Sequence, residues 1–572
     1  MLLLRIAFFV DSILSFGCDG KFQMERCHVT IIDPIYDALT APGTPFEISE
    51  QGGMRQFVNA PADVNLLAET ARRHGDKVFV VEGDRRLTFN QFFALRDALV
   101  PALEVDRGDR VAICMRNRIE WMVAFLAVAR ANGVSALINS RGSPEELCAA
   151  IEGVSPRLVL ADPERAALLR RGGFAGQILE TGEFPTSGAT LTDFESAKPD
   201  DPCTILFTSG TTGQVKGAVL THRNLINGLM SVQMTGMMVL HDTAAKLNIP
   251  VEQILANLSQ QAALLISPLF HISGLGASFL SPLCAGSKLV MMRRWNAADA
   301  TRLIESERIT AFSGVPTMMW DMLNGARETG ADLSSLRNIA SGGQALPVAL
   351  LDDIRAACPG AVMGTGYGMT ETSGSVSMAV GEDFIRNRAA AGRVLSLVDM
   401  RIEGPDGEEL LPGEAGEIVV RGPVVMKGYW NNKEETDKIL SPDGWLKTGD
   451  VGYVDDEGYV FIVDRKKDMV ISGGENIYCA EVERIIGAMD DISECAAFGI
   501  PDKRLGELLV AVIVQRGDYS ESDIIKAVGE NLAKYKAPGH VAFLDEPLPR
   551  NDVGKVDKNE LRARWPQISG AR

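Results

Sequence analysis

No Cys-x-x-Cys pair occurs in the chain, and its nine cysteines are scattered with no metal-ligand spacing. That argues against a disulfide framework and a structural zinc site, and it fits a reducing, cytoplasmic compartment. Long uninterrupted apolar runs are missing as well. The opening MLLLRIAFFVDSILSFGC is broken by Arg5 and Asp11 and is too short and too charged to span a bilayer. It has no basic stretch ahead of the apolar one and no small-x-small cleavage site, and Ser15, Phe16 and Gly17 before Cys18 make no lipobox. The reading is therefore an extension upstream of a start at Met24 rather than a secretion signal. Positive charge is also scarce: 57 Lys and Arg stand against 75 Asp and Glu, a net charge of -18. Such a surface repels phosphate backbones, so nucleic acid is not an expected partner.

What is present is an ordinary globular composition, 46% hydrophobic and 23% charged over 572 residues, long enough for more than one domain. RVAICM (110–115), VSALIN (134–139) and RLVLAD (157–162) are short apolar runs suited to buried strands. Between the first two, IEWMVAFLAVARA (119–131) has helical length and stops before Gly133. Strand, helix, strand at this spacing implies a parallel sheet covered by helices, hence an α/β fold. After Arg401 the character changes. RIEGPDGEELLPGEAGEIVVRG and GYVDDEGYVFIVDR are alternating runs split by Asp-Gly and Glu-Gly, which read as antiparallel hairpins. Beyond DRKKD (464–468), the runs AEVERIIGAM, AAFGI, ELLVAVIV and SDIIKAVGENL suggest a small α+β unit. The expected division is an extension (1–60), a large domain of parallel sheets and helices (61–463), a hinge (464–468) and a small C-terminal domain (469–572).

TSGTTGQVKG (208–217) follows the apolar TILF and has no residue that builds a core. Its glycines let backbone N–H groups turn inward, its hydroxyls add donors and Lys216 adds charge, which suits phosphate. A flexible surface turn is the alternative. It is not a P-loop: Val215 stands where the second glycine belongs, and Gly217 where Ser or Thr is required. GTGYGM (364–369) likewise fails as a dinucleotide fingerprint, because Met369 replaces the last glycine.

TSGTTGQVKG, YGMTE (367–371), KTGD (447–450), DRKKD, SGGENIY (472–478) and NDVGKV (551–556) occur in this order. The set resembles the adenylate-forming superfamily of acyl-CoA synthetases, peptide-synthetase adenylation domains and beetle luciferases, over about residues 64 to 565. The resemblance implies a large multi-sheet N-terminal domain, a small mobile C-terminal domain, and use of ATP, Mg²⁺ and coenzyme A. It implies two steps: a carboxylate displaces pyrophosphate from ATP to give acyl-AMP, and a thiol then displaces AMP.

By that resemblance Thr208, Ser209, Gly210, Thr211, Thr212, Gly213 and Lys216 hold the β- and γ-phosphates, although relatives usually carry Pro where Val215 stands. Tyr367 stacks on adenine, Thr370 bonds the α-phosphate and Glu371 ligates Mg²⁺, an ion commonly held by one or two carboxylates plus phosphate. Asp450 accepts from the ribose hydroxyls and Arg465 also reaches the ribose. Lys467 is the hinge residue, and Gly473 and Gly474 line the thiol tunnel after the small domain rotates; Cys479 replaces a frequent Pro. Lys555 swings in to bridge carboxylate and α-phosphate.

The acid pocket is expected from PLFHISGLG (268–276), SGGQ (341–344) with Gly342 and Gly343, and MGTGYG (363–368), with His271 as the gate beside the carboxylate. Gly368, where acetate-using relatives have Trp, is read as leaving the pocket open. Met230, Met234, Met237, Met238, Met318 and Met319 either line an adaptable cavity or are ordinary core. No basic residue in these segments suggests a second carboxylate, so a medium- or long-chain fatty acid fits, as does an aryl or polycyclic one. HDTAAKLNIPVEQILANLSQQ (241–261) reads as helical with a break at Pro250, a segment for acyl length or for a homodimer contact.

The leading reading is an acid–thiol ligase making acyl-CoA. Loading of a carrier protein in trans, a luciferase-like oxygenase and a non-catalytic nucleotide-binding module are the alternatives; the last would bind ATP without acid-dependent pyrophosphate release. Lys555→Ala is expected to nearly abolish acyl-AMP formation while sparing thioester formation from supplied acyl-AMP. Half-reaction assays check this, and equal loss of both halves would refute the role.

Overall fold

The apolar runs at 110–115, 134–139 and 157–162 form the centre of a seven-stranded sheet. The computed structural model describes residues 33–188, 191, 195–209, 215–342, 348–465, 468–472, 475–551 and 555–570. In sheet order the strands are Gly428–Tyr429, Val215–Thr221, Pro202–Ser209, Val134–Leu137, Arg110–Cys114, Leu158–Ala161 and Ile178–Glu180. The last five run parallel, and every residue of Val134–Leu137 and Leu158–Ala161 is buried. Strands covered on both faces read as continuous apolar runs, which is the pattern the sequence shows.

The helix Ile119–Arg130 is apolar nearly all round, with only Glu120 left part-exposed. Such a helix has no wet face and must be enclosed. It ends before Gly133 because Asn132 turns left-handed at φ 56°, and a Cβ on Gly133 would lie 3.0 Å from Val128. Its Trp121 stacks on Phe125 at 5.8 Å, and Phe279 meets both rings edge-on at 6.5 and 6.3 Å. This aromatic group lies in the largest core cluster, which draws on the first sheet and on a second.

The second sheet has nine strands in the order Arg393–Val394, Gly374–Val380, Val362–Met369, Asn338–Gly342, Ala311–Gly314, Ala262–Leu265, Lys288–Met291, Val78–Glu82 and Arg85–Thr88. Its interior pairs are parallel and the two ends antiparallel. The hairpins expected after Arg401 are present as a four-stranded antiparallel sheet of Asp399–Glu403, Gly416–Arg421, Leu446–Val454 and Val460–Arg465.

Past Arg465 a further five-stranded sheet is built on the long hairpin Ile492–Asp502 and Gly506–Gln515, with His540–Phe543 added in parallel. One of its two cores holds helices Cys479–Gly487 and Glu521–Asn531, and the other holds Lys558–Ile568. This is the expected α+β unit. All of it belongs to one compact body with the rest of Asp33–Arg572.

The stretch 241–261 is helical with a break before Pro250, as its sequence reads: its first half ends a single 26-residue helix, His222–Leu247, Asn248 then turns left-handed, and Pro250 opens the short helix Val251–Asn257. Truncating Phe279 to Ala should cost about 3–5 kcal/mol, because it removes a fully enclosed ring from between Trp121 and Phe125. Calorimetric unfolding would register this as a clear fall in transition temperature, and an unchanged transition would contradict the enclosed packing.

Candidate active site

Two chain segments meet at the edge of the first sheet, and a third carries Lys555. The first is the turn between strands Pro202–Ser209 and Val215–Thr221, where Lys216 pairs across the ladder with Thr208. Gly210, Thr211, Thr212 and Gly213 lie outside the described residues, as do Gly343, Lys467, Gly473 and Gly474. The Lys216 ammonium makes an ion pair with Glu435 and stands 5.2 Å from the centre of the Tyr429 ring. Lys216 and Lys438 together push the Glu435 carboxyl down to about 2.

The second segment is the strand Val362–Met369 and the tight turn Thr370–Thr372 that follows. Thr370 and Glu371 are buried, so Glu371 is not a solvated turn residue. Its Oε1 accepts a hydrogen bond from the Tyr429 hydroxyl at 2.8 Å. Burial raises the Glu371 carboxyl above the usual carboxylate range, against the bond from Tyr429. The Tyr367 hydroxyl donates to Asp450 Oδ2 at 2.8 Å. Asp450 lies opposite Arg465 in the antiparallel ladder and takes its guanidinium at 3.2 Å. Burial first, and the Asp450 charge second, hold the Tyr367 phenol well above its ordinary value. Tyr367, Asp450 and Arg465, far apart in sequence, thus form one network.

The third segment comes from the C-terminal unit. Lys555 closes a small loop in which its backbone N–H donates to Asn551 Oδ1 at 3.0 Å and its carbonyl accepts from Asn551 at 2.8 Å. Its ammonium is close enough to His271 to disfavour a second positive charge there. Burial and then Lys555 push the His271 imidazole down to about 4 from an ordinary 6.5. Nδ1 of His271 is 3.0 Å from the Ser273 hydroxyl, which fixes the ring at the start of the helical turn 273–280. In the strand Val460–Arg465, Asp464 accepts from the Ala480 N–H at 3.4 Å, and burial pushes its carboxyl up to about 6.

The structure adds two points about the pocket. At Gly368 a Cβ would lie 1.9 Å from the Gly374 carbonyl oxygen, so the neighbouring strand demands glycine. For the buried methionines the ordinary-core reading holds. Met230 and Met234 are buried in the largest core cluster, while Met319 is fully buried in another, with Met318 packed against it. Tyr429 and Glu435 were not foreseen. Both lie in KGYWNNKEE (427–435), and nothing local in that run points to a residue 50 or more positions earlier.

Among the described residues no three His, Cys, Asp or Glu side chains converge on a common metal position. One carboxylate, Glu371, beside a phosphate-binding turn is instead the set that Mg²⁺ takes, since it keeps waters and shares substrate phosphates. The residues present therefore fit a nucleotide-bound Mg²⁺.

A large body with two mostly parallel sheets, followed by an α+β unit, has the architecture of an adenylate-forming enzyme. The family model described as AMP-binding enzyme matches residues 67–430, and that described as AMP-binding enzyme C-terminal domain matches 481–555. Feruloyl-CoA synthase of an Amycolatopsis species is 36% identical over 87% of this chain and 96% of its own. The 3-[(3aS,4S,7aS)-7a-methyl-1,5-dioxo-octahydro-1H-inden-4-yl]propanoyl:CoA ligase of Rhodococcus jostii is 34% identical over 87% and 98%. The solved O-succinylbenzoate coenzyme A synthetase of Bacillus subtilis, in complex with ATP and magnesium ion, superposes with a TM-score of 0.73 at 31% identity, covering 87% of this chain and 99% of that one.

The chain belongs to the AMP-binding enzyme family. It is an AMP-forming acid–CoA ligase that uses ATP, Mg²⁺ and coenzyme A, and a carrier protein is not the favoured acceptor. Among the described residues no helix is long and apolar enough to cross a membrane.

The folded chain keeps His271 neutral down to about pH 4, while the unfolded chain protonates it near 6.5. Between these values the unfolded state binds more protons. The stability tied to His271 is thus complete above about 6.5 and is lost as pH falls towards 4. A histidine-labelled NMR titration should find one imidazole with a midpoint near 4, and Lys555→Met should move it upward. An unmoved midpoint would contradict the closeness of the two groups.

Proposed function

We propose that this ligase activates an aryl or polycyclic monocarboxylic acid, the medium- or long-chain fatty acids being the second class that fits. The observation that carries the chemistry is the paired set of Tyr429 on Glu371 and of Tyr367 and Arg465 on Asp450, with the Lys555 charge acting on His271. A cation from the C-terminal unit there meets the acid's carboxylate and the α-phosphate together. The neutral imidazole adds no competing charge and packs against the carboxyl end of the acid. In the first step a carboxylate oxygen forms a bond to the α-phosphorus as the bond to pyrophosphate breaks. Lys555 offsets charge on both reactants, and Lys216 with the 208–213 turn offsets it on the departing pyrophosphate. Thr370 donates to the α-phosphate. Glu371 would hold Mg²⁺, which when bound would supply positive charge to the phosphates. Asp450 and Arg465 hold the ribose, and the Tyr367 ring lies along the adenine.

In the second step the thiol of coenzyme A forms a C–S bond and AMP leaves from the acyl carbon. For this step the unit 469–572 turns about Lys467, bringing Gly473 and Gly474 to the thiol arm. The reading includes the division at 463 and 469, Gly342 and Gly343 along the acid pocket, a cytoplasmic location, and a homodimer joined through the exposed Leu247, Leu255 and Leu258. Sedimentation of the wild type against a variant with these leucines made Ser tests the dimer.

Support for the acid class comes from the pocket segments 268–276, 341–344 and 363–368, which carry no Lys or Arg to bind a second carboxylate. The ring-bearing acids named for the relatives point the same way. Incubation with ATP, Mg²⁺, coenzyme A and a panel of fatty, aryl and bicyclic acids, read by product mass, is the test. The expected product is the CoA thioester of a ring-bearing acid. Preference for a linear acid would overturn the choice of class, and acyl-AMP without thioester would overturn the roles given to Gly473 and Gly474.

A further inference from the structure

We propose that Tyr429 is the positioning residue that sets the metal-binding carboxylate and the phosphate-binding lysine relative to one another. The inference rests on the roles proposed for Glu371 and Lys216. Tyr429 presents two different chemical faces to them. Its hydroxyl donates to Glu371 Oε1 at 2.8 Å, and its ring lies 5.2 Å from the Lys216 ammonium. An edge-on hydroxyl and a cation-attracting face on one rigid ring tie an anion and a cation together through a side chain with two torsions.

The ring can do this because its backbone is immobilised on three sides. Tyr429 lies in the two-residue edge strand Gly428–Tyr429, paired with Val215–Thr221 directly after the phosphate turn. Trp430 N–H donates to the Gly217 carbonyl at 2.7 Å, Lys427 N–H to Val219 at 2.9 Å, and Met426 N–H to the Glu371 carbonyl at 2.8 Å. The Tyr429 N–H itself donates to Thr436 Oγ1 at 2.9 Å. Upstream, the Asn224 side-chain amide donates to the carbonyls of Pro423 and Val425, each at 2.8 Å. The same short segment is therefore bonded to the strand that carries Lys216 and to the turn that carries Glu371. Glu435, at the start of the helix Lys433–Ile439, adds an ion pair to Lys216.

Partners that orient a metal ligand from behind are worth about 10- to 100-fold in metal affinity. Tyr429→Phe keeps the ring and removes the hydroxyl. It should weaken Mn²⁺ binding to the ATP-loaded protein about 10-fold or more. Metal-free ATP binding should change by less than about twofold, since the ring still faces Lys216. Tyr429→Leu removes both faces and should also weaken metal-free ATP binding, by roughly twofold to fivefold. Mn²⁺ binding is read from the free-ion electron spin resonance signal and ATP binding by calorimetry in chelator, with Glu371→Gln measured alongside. If Glu371→Gln loses Mn²⁺ and Tyr429→Phe does not, the positioning role is overturned while the metal assignment stands. If Glu371→Gln also binds Mn²⁺ like the wild type, the metal assignment fails and the positioning role falls with it. A Tyr429→Leu protein that does not fold leaves the Tyr429→Phe comparison decisive by itself.

Discussion

Two carboxylates are buried at the nucleotide site, and each takes a hydrogen bond from a tyrosine hydroxyl. A charge withdrawn from water is strongly destabilising unless paired or hydrogen-bonded, so these bonds decide whether the site can exist. Tyr429 serves Glu371 and Tyr367 serves Asp450. Both phenols are raised above their ordinary values, which keeps them donors. The rest of the local architecture brings these pairs into place. The sheet edge carries Tyr429, the strand Val362–Met369 carries Tyr367, and the antiparallel sheet carries Asp450 opposite Arg465.

The cationic groups come from different parts of the chain. Lys216 stands at the foot of a hairpin in the first sheet, and Lys555 belongs to the unit built on the hairpin 492–515. A turn rich in glycine and hydroxyls offers donors but little fixed charge. Polyphosphate chemistry needs both, and here the fixed charge is divided between a lysine set in a sheet and one on a separate unit.

Much of the fold was legible in the chain. Val134–Leu137 and Leu158–Ala161 announce themselves because a strand covered on both faces has no polar alternation. Ile119–Arg130 is visible because a fully enclosed helix is apolar all round. The Asp-Gly and Glu-Gly turns give away the antiparallel sheet. Less was legible where a contact joins distant segments. Gly368 looks like an empty place in a pocket, yet it answers to the approach of the Gly374 carbonyl. The methionines near 230 and 318 read equally as lining or as core, and they fall in separate cores. Both readings depend on which face a residue presents, and local sequence is silent about its neighbour across a sheet.

By itself, the order of residues determined the chemistry available to this protein. The glycine-hydroxyl turn with its lysine, the buried-strand alternation and the late lysine at 555 are each local patterns with a local physical cause. Tertiary structure decided which of these groups meet. It set Lys555 against His271, drew Tyr367, Asp450 and Arg465 into one network, and laid Tyr429 between Glu371 and Lys216. The reason is one of range. Propensity and periodicity act over a few neighbouring residues, whereas pairing of buried charges is settled by sheets that close over segments hundreds of residues apart.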